Sequence, residues 1–457
     1  MSETLKKKQP LPWWRRILLG LVLIAMALLA AFMLISYLAE RQLGAEIVRI
    51  SQAGEPITFL DLQAELEPSS TGEDASAYYA EALRSIRPDD LENLMRVNIF
   101  YRRNMLSLPA SQFPGDVREE ITQNLANFQP VLEKFDKGAN LPLCRFDIGI
   151  EQGMQVYQTR LRHVRTAVAL LSLRTSHLVL HGEDDAAVNS VISILKMIRI
   201  FDPHPTMALH GAKIASVGLA CEDICLILEL ARPSEKSLAK LQKILSETIP
   251  ANVLERMFFA ERVYRIETAR NLIPENIVLR FLQDKAPDLP ERLPLPASRR
   301  GRLLVRHKSA QYLREMAQLI AAARRPWPEP LDIIVGNGNE STEKSSGLIS
   351  SAAVFVRFTG ETLASVRCTI LAIAIERYRR SHGELPGSLD ELFPIYIDSM
   401  PLDPFTGKKL LYSCDGETYV VYSVGINRQD DNGSIIPEAD QKSPQDRGLR
   451  IRFHKPE

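Results

Sequence analysis

Residues 17–39 form an uninterrupted apolar segment, ILLGLVLIAMALLAAFMLISYLA, which contains no charged side chain. About 20 consecutive apolar residues are enough for an α-helix to cross a lipid bilayer. The sequence therefore predicts a transmembrane helix at 17–39. This segment constrains the fold more than any other, because a chain with one span must build its remaining structure beside a membrane.

Most of the basic residues close to this segment precede it. Trp13 and Trp14 lie at the depth that is typical of a membrane interface. The basic residues are Lys6, Lys7, Lys8, Arg15 and Arg16 before the segment and Arg41 and Arg49 after it. Because cytoplasmic flanks are enriched in Lys and Arg, we expect residues 1–16 to be a cytoplasmic tail. The bulk of the chain is then extracytoplasmic (periplasmic), anchored by a single span in the inner (cytoplasmic) membrane.

A cleaved signal peptide is the alternative interpretation of the same segment. The tripeptide Tyr37-Leu38-Ala39 could precede a cleavage site. The apolar region of a signal peptide is usually about 7–15 residues long, however. The greater length of residues 17–39 therefore favours an uncleaved anchor.

The composition describes an ordered chain without a bulk charge. A length of 457 residues with 45% apolar and 25% charged residues excludes a disordered protein and suggests two or three domains. The 56 basic residues are balanced by 56 acidic residues, so we expect no nucleic-acid partner. The five cysteines lack the spacing of a metal site and are interpreted as structural: Cys144, Cys221, Cys225, Cys368 and Cys414.

Residues 40–284 are predicted to form a helical extracytoplasmic domain. Apolar residues recur there at helical spacing, and the short loops indicate that neighbouring helices pack antiparallel. The predicted helices cover 157–181, 186–201, 206–231, 235–245 and about 252–272. No segment repeats at a fixed spacing, which favours a helical bundle or irregular array over a solenoid.

Residues 285–347 are predicted to be two linkers with one intervening helix. The first, KAPDLPERLPLPASRRG at 285–301, carries four prolines and should be extended. The second, at 325–347, is rich in Pro, Gly, Asn and Ser. The sequence RLLVRHKSAQYLREMAQLIAAA between them predicts a helix.

Residues 348–457 are predicted to form a small α+β module. An apolar stripe from Leu363 to Tyr378 predicts a long helix that buries one face. Ser388 and Glu391 have the spacing of a capping box at the start of a short helix. We expect the apolar side chains that follow the cap to fill the gap between the long helix and a sheet; they are Leu389, Leu392 and Phe393.

The sheet of this module is predicted to be antiparallel. Two β-strand patterns, at 409–413 and 418–423, flank an Asp-Gly pair, which is a strong hairpin signal. A third alternating stretch at 449–454 completes the sheet. The chain as a whole is thus predicted to be mainly α, with a transmembrane helix, a helical domain and a C-terminal helix-plus-sheet module.

The C-terminal residues carry a resemblance to a known family. The stretches ERYRRSHGELPGSLDEL, PLDPFTGKKLLY and YVVYSVGINRQDDNG resemble the globular part of the type II secretion major pseudopilin. The order of anchor, GEPITFLDLQAELEPSSTGEDASAYYAEAL, RFDIGIEQG, long helices and this ending is similar to a family of membrane-anchored proteins from planctomycetes and their verrucomicrobial relatives. The resemblance implies export and membrane tethering, and it implies no particular reaction.

The chain also departs from the pseudopilin pattern. In pseudopilins the apolar segment leads directly into the long helix of the globular domain, whereas a long helical domain separates the two here. Gly20 is followed by Leu21 without the nearby glutamate of a prepilin cleavage site. We therefore do not expect assembly into a pseudopilus by the usual route.

The resemblance further implies a calcium site in the loop YSVGINRQDDNGS. The positions that match the pseudopilin ligands are the Val424 carbonyl, Asn427, Asp430 and Asp431, with Asn427 where an aspartate is expected. Calcium is bound by six to eight oxygen atoms. An ordinary solvated turn remains the alternative, because Asp-Asp-Asn-Gly is also a common turn sequence.

Histidines offer a second candidate metal site. His177 and His181 are four residues apart, hence on one helix face, and His204 and His210 follow the next predicted helix. The pattern lacks the glutamate of the His-Glu-x-x-His motif. We therefore interpret these residues as surface or hydrogen-bonded core histidines.

Carboxylates on the helix predicted at 252–272 are candidates for acid–base catalysis. Glu255, Glu261 and Glu267 are spaced six residues apart. The arginines interspersed among them are expected to pair with them: Arg256, Arg262, Arg265 and Arg270. No Gly-rich phosphate loop, nucleophile elbow or Cys-His signature occurs in the sequence.

The sequence therefore favours a membrane-anchored interaction or scaffold protein, linked to secretion or envelope organisation, with a protein partner. The alternative is an envelope hydrolase whose active site lies between helices of the 40–284 domain. A pocket lined by converging carboxylates or histidines would support the hydrolase, whereas an exposed apolar groove would support the binding protein.

Overall fold

The computed structural model describes residues 12–66, 72–86, 115–148, 154–269, 299–336, 347–416, 418–435 and 446–452. Within these residues the protein is mainly helical and ends in a three-stranded antiparallel sheet. Several predicted features lie outside the described residues: Lys6, Lys7, Lys8, Arg270, 285–298, 337–346 and His454.

Thirteen α-helices are described. They are α1 (Trp13–Gln52), α2 (Phe59–Leu66), α3 (Ser76–Arg84), α4 (Gly115–Asn127), α5 (Gln129–Ala139), α6 (Met154–Leu180), α7 (Asp184–Met197), α8 (Met207–Leu230), α9 (Glu235–Thr248), α10 (Val253–Ala269), α11 (Arg299–Ala323), α12 (Glu329–Ile334) and α13 (Gly347–His382). The strands are β1 (Leu411–Cys414), β2 (Thr418–Ser423) and β3 (Arg447–Arg452).

Helix α1 is continuous for 40 residues and therefore extends well beyond the apolar segment. Its apolar window is wholly exposed, as in a membrane span or a signal sequence. From Ala39 onward the helix contacts the rest of the protein. Leu43 and Ile50 are buried in a small core with Ile266 of α10 and Leu313 of α11. Burial of each such side chain contributes about 1.5–3 kcal/mol.

Helices α1, α10 and α11 form a three-helix unit at the end of the protein that carries the apolar segment. Two ion pairs join α1 and the residues just after it to α11: Glu46 to Arg314 at 2.8 Å and Glu55 to Arg324 at 2.7 Å. Because both residue numbers increase together, α1 and α11 run parallel. Helix α10 runs antiparallel to α11, with Glu255 beside Arg324 and Ile266 beside Leu313.

The main hydrophobic core lies among α6, α7, α8, α9 and α13 and continues into the sheet. The predicted helices of this region are confirmed with small shifts of their ends. Gly182 ends α6 at a φ of 73°, which favours glycine. Ser234 caps α9 by accepting a hydrogen bond from the Ser237 N–H at 3.2 Å.

Helix α13 is long and apolar enough to cross a membrane, but 67% of its apolar window is buried inside the protein. It packs against α8, α9 and strands β2 and β3. The predicted long helix of the C-terminal module is thus a central core helix, and its core is continuous with that of the helical domain.

The prediction of a second linker over 325–347 is wrong in part, because helix α12 lies within this segment. Residues 329–334 are helical, and Leu331 and Ile334 are buried. A six-residue helix shows too little periodicity to be recognised from apolar spacing. Pro330 within its first turn is the local signal that was present in the sequence.

The strand order is β1-β2-β3, and both pairs are antiparallel. Asp415 and Gly416 form the hairpin turn as predicted, with Gly416 at a φ of 92°. Gly448 of β3 approaches β2 closely, because an added Cβ would lie 2.1 Å from the Val421 carbonyl oxygen. Tyr419 of β2 is buried and donates to the Ala372 carbonyl of α13 at 3.3 Å.

The capping box of Ser388 and Glu391 is confirmed, but the segment it caps is a 3₁₀ turn over Leu389–Leu392. Leu389 and Leu392 are buried as predicted. The prediction that Phe393 is buried with them is wrong, because its side chain is 53% exposed. A 3₁₀ helix has three residues per turn, so 389 and 392 share one face and 393 does not.

Candidate functional site

The loop that was predicted to bind calcium follows β2 directly. Its side chains are hydrogen-bonded to neighbours: Asn427 Nδ2 donates to Asp431 Oδ2 at 2.8 Å, and Tyr422 OH donates to Asp430 Oδ1 at 3.0 Å. The Val424 N–H donates to Asp403 Oδ2 at 3.1 Å. The two loop carboxylates thus have different partners in this arrangement.

Two buried aspartates that sequence reasoning missed hold this region in place. Asp403 accepts from Ser423 Oγ at 2.9 Å and from the Phe405 N–H at 2.8 Å, which ties the turn after Pro401 to the end of β2. The Asp-Pro pair of PLDPFTG was the available signal, because aspartate often accepts hydrogen bonds from the turn that follows it.

Asp446 has the same role for the loop after β2. It accepts from the Gly433 N–H at 2.9 Å and the Ser434 N–H at 3.2 Å. Burial raises the pKa of Asp446, and the nearby Asp431 carboxylate raises it further, whereas the backbone N–H donors oppose this shift. Asp446 is distant in sequence from its partners, so no local pattern indicates the contact.

The four candidate histidines are not a metal centre. The rings of His177 and His181 lie 4.1 Å apart, but His204 packs edge-on against Phe59 instead. His210 is buried and its Nε2 lies 2.8 Å from Thr359 Oγ1. Among the described residues no group of three His, Cys, Asp or Glu side chains could hold a metal ion.

Burial is the main influence on the pKa of His210. It lowers the pKa of the imidazole to about 3, and the neighbouring Lys213 ammonium adds to this effect. The ring is therefore a neutral, hydrogen-bonded core residue between α8 and α13, as the sequence interpretation expected.

Two of the three glutamates of α10, Glu255 and Glu261, bind groups on other segments, which are contacts that the expected pairing with arginines of their own helix did not include. Glu255 binds Arg324, which directly follows α11, at 2.6 Å. Glu261 accepts from the Met207 N–H at the start of α8 at 3.1 Å and from Tyr312 OH at 3.3 Å. Glu267 is buried. These contacts join helices and do not converge on a cavity.

A cavity of about 750 Å³ with both polar and apolar side chains in its wall lies among α4, α5, α6, α7 and α9. Its polar lining includes Asp136, Arg174, His177, Glu183, Ser190 and Lys240. The Asp136 carboxylate is already bound by Arg174 through two contacts of 2.8 Å and by Ser193 Oγ at 2.8 Å. His177 Nδ1 is buried without a hydrogen-bond partner in the described structure.

A larger groove of about 1030 Å³ lies between α9, α13 and the loop 393–403. Its apolar lining includes Ile249, Trp327, Leu363, Ile370, Ile395 and Met400. The side chains of Ile395 and Leu402 line it and are 74% and 46% exposed. These two exposed side chains form an apolar rim, to which we refer as the groove rim: Ile395 and Leu402.

The loop that carries the groove rim is fixed to the helices behind it. Gln242 Nε2 of α9 donates to the Tyr396 carbonyl at 2.8 Å, and Arg367 Nη1 of α13 donates to the Leu402 carbonyl at 2.5 Å. Ile397, between the exposed side chains, is buried. The exposed apolar side chains are therefore held on a preformed surface.

Comparisons of the chain with protein-family models, with curated proteins and with solved structures find no match. The functional argument therefore depends on the geometry of the described residues.

Proposed function

We propose that this is a single-pass, membrane-anchored extracytoplasmic scaffold protein that binds a protein partner in the groove beside loop 393–403. The groove rim is the observation that supports this function. Large apolar side chains clustered on a fixed loop and left in water are typical of interaction surfaces. The groove and its rim are accessible in the described structure, and the hydrogen bonds from Gln242 and Arg367 keep the loop in place.

The distance between the groove and the end of the apolar segment favours a protein over lipid as the occupant of the groove. Helix α1 rises about 20 Å between Ala39, where the apolar segment ends, and Gln52, at 1.5 Å per residue. Arg324 is paired with Glu55, just beyond that helix end, and Trp327 of the groove follows Arg324 by three residues. The groove thus begins above the headgroups of a bilayer that surrounds residues 17–39. Its occupant is a polypeptide segment that supplies apolar side chains.

A photo-crosslinking amino acid at Ile395 of the full-length protein, in membranes of its own host, tests this proposal. We expect one discrete adduct with a protein, identified by mass spectrometry, that is lost when Leu402→Asp places a charge on the groove rim. The same amino acid at Leu60, an exposed apolar position on α2, is the matched control. An adduct with a second copy of the chain would identify a homodimer.

Adduct formation at Leu60 equal to that at Ile395, or adducts with lipid only, would reject the groove as a partner site. As a control for folding, the thermal stability of the Leu402→Asp protein has to match that of the native protein. We expect this because the Leu402 side chain is partly exposed, so that replacing it should not disturb the core.

The topology is tested separately with a reporter fused after the C-terminal residue. Because the basic residues precede the apolar segment, we expect activity only outside the cytoplasm. A cytoplasmically active fusion would reverse the proposed orientation. Release from membranes in alkaline carbonate as a shortened species would identify residues 17–39 as a cleaved signal peptide.

The alternative function, an envelope hydrolase, has less support. The cavity lies between helices of the domain and is lined by Asp136, His177 and Glu183, as that function requires, but the Asp136 carboxylate is held by Arg174 and Ser193. A general base needs a free lone pair directed at the proton it removes. The contacts of Asp136 therefore favour a structural ion pair with Arg174 over a catalytic role for this carboxylate.

A further inference from the structure

The cavity among α4, α5, α6, α7 and α9 presents two opposite charges that no ion pair within the described residues neutralises. Glu183 precedes α7 and is exposed, and its carboxylate does not cap the helix. Lys240 of α9 is also exposed, and its Nζ donates to the neutral side chain of Asn189 at 3.3 Å. Asp136 and Arg174, which also line the cavity, are paired with each other. One carboxylate and one ammonium group therefore remain available to a ligand.

These two charges lie at different levels along the axis of α7. Lys240 Nζ contacts Asn189, which follows Glu183 by six positions. At a rise of 1.5 Å per residue, the two levels are about 9 Å apart. Lys196 increases the positive charge near Lys240: burial lowers the pKa of Lys196 most, and the like charges of Arg199 and Lys240 lower it further. The cavity is therefore acidic at the start of α7 and basic further along the helix.

Apolar side chains make up much of the remaining wall of the cavity. Leu125 of α4 and Ile192 of α7 line it and are buried, and Leu178 of α6 and Ala186 of α7 line it as well. Small-molecule sites usually combine such an apolar wall with a few polar groups that fix the orientation of the ligand. The cavity volume of about 750 Å³ is also typical of such sites. The ligand therefore has an apolar body between its two charged ends.

We infer that this cavity binds a short linear peptide with free ends, whose ammonium group pairs with Glu183 and whose carboxylate pairs with Lys240. Three extended residues span at most about 10–11 Å, which matches the distance between the two levels. A free amino acid is too short for both contacts, because one residue spans at most about 3.6 Å. The described lining of the cavity shares no residue with that of the groove, so the inference does not rest on the proposed protein partner.

Equilibrium dialysis of the full-length protein in detergent against the radiolabelled tripeptide Ala-Leu-Ala tests the inference. Glu183→Gln should raise the Kd about tenfold, because a charge-assisted hydrogen bond is lost. The N-acetylated tripeptide should bind the native protein about tenfold more weakly for the same reason, and Glu183→Gln should then have no further effect. Lys240→Gln and the tripeptide with an amidated C-terminus should show the same relationship at the other end of the cavity.

Lys243→Gln and Glu247→Gln are the matched controls, because they remove exposed charges of α9 that line the groove and not the cavity. Both should keep the native Kd, and all four variants should keep the native melting temperature, since each change is at an exposed position. No measurable binding of Ala-Leu-Ala, or a native Kd in both Glu183→Gln and Lys240→Gln, would overturn the inference.

Two further outcomes would also overturn it. If only the control changes weaken binding, the tripeptide occupies the groove, which would support the proposed function and reject the cavity as a peptide site. If free alanine binds as tightly as Ala-Leu-Ala, the two charges do not hold the two ends of one peptide.

Discussion

The guanidinium of Arg262 on α10 lies 2.5 Å from the carboxylate of Glu55, just after the end of α1. Arg262 is 1% exposed, and Glu55 also binds Arg324, which directly follows α11. One carboxylate thus joins the end of α1 to α10 and to the residue that follows α11. Burial alone would raise the pKa of Glu55, but hydrogen bonds from Arg262 and Arg324 outweigh it, and the pKa is lowered.

The change Glu55→Gln should lower the free energy of unfolding by about 3 kcal/mol, because it leaves the Arg262 guanidinium buried without a counter-charge. Urea unfolding of the full-length protein in detergent measures this loss. Glu65→Gln, at an exposed position of α2, is the control and should change stability by less than about 0.5 kcal/mol. Equal effects of the two changes would show that the buried pair has no special role.

Leu392→Ala should cost about 2–5 kcal/mol, because Leu392 is fully buried beneath the long helix. Phe393→Ala should cost less than about 1 kcal/mol, since more than half of the Phe393 side chain is exposed. Unfolding free energies of the two variants, compared under the same conditions, check the difference. A larger loss for Phe393→Ala would mean that Phe393 is buried after all.

The stability of the protein should depend on pH through His210. In the folded protein the buried imidazole stays neutral down to about pH 3, whereas in the unfolded chain it gains a proton near pH 6.5. The stabilisation is therefore complete above pH 6.5 and is lost as the pH falls below that value. Between pH 7 and pH 5 the loss should be roughly 2 kcal/mol.

The variant His210→Gln should lack this part of the pH dependence, because glutamine does not titrate. Unfolding free energies at pH 7 and pH 5 for the native protein, His210→Gln and the exposed-site control His181→Gln measure it. If His210→Gln and the native protein lose the same free energy over this range, the pH dependence comes from other groups.

Calcium binding by Val424, Asn427, Asp430 and Asp431 stays a prediction. An ion bound only by the folded protein would raise the melting temperature with increasing free calcium. The native protein and the double variant Asp430→Asn, Asp431→Asn should be melted in calcium, in magnesium and in chelator. A rise that is specific to calcium and absent from the variant supports the site. Coincident curves for the native protein in calcium and chelator contradict it.

Features that depend on neighbouring residues could be predicted from the sequence. The apolar segment 17–39, the capping box of Ser388 and Glu391, and the Asp-Gly hairpin turn all depend on spacing within a few residues. The helices of the domain follow for the same reason, because their apolar residues recur every three or four positions.

Features that depend on distant residues could not be predicted. Glu255 pairs with Arg324, 69 positions away, although Arg256 is its neighbour in the sequence. The groove is formed by α9, α13 and a loop that are brought together only by folding. The exposure of Phe393 depended on whether residues 389–392 form an α-helix or a 3₁₀ helix, and four residues are too few to distinguish the two periods.

Helix α1 crosses from the apolar segment into the folded domain without a hinge. In the proposed membrane-anchored form the domain could therefore not swivel freely on its anchor, and any tilt or rotation of the membrane helix would turn the groove through the same angle. A binding surface held at a fixed distance from the bilayer would contact only partners that reach the same distance from the membrane. For a partner tethered in the same bilayer, this confinement would raise the local concentration without any new contact. The stiffness of one helix would then select partners by the length of their own stalks.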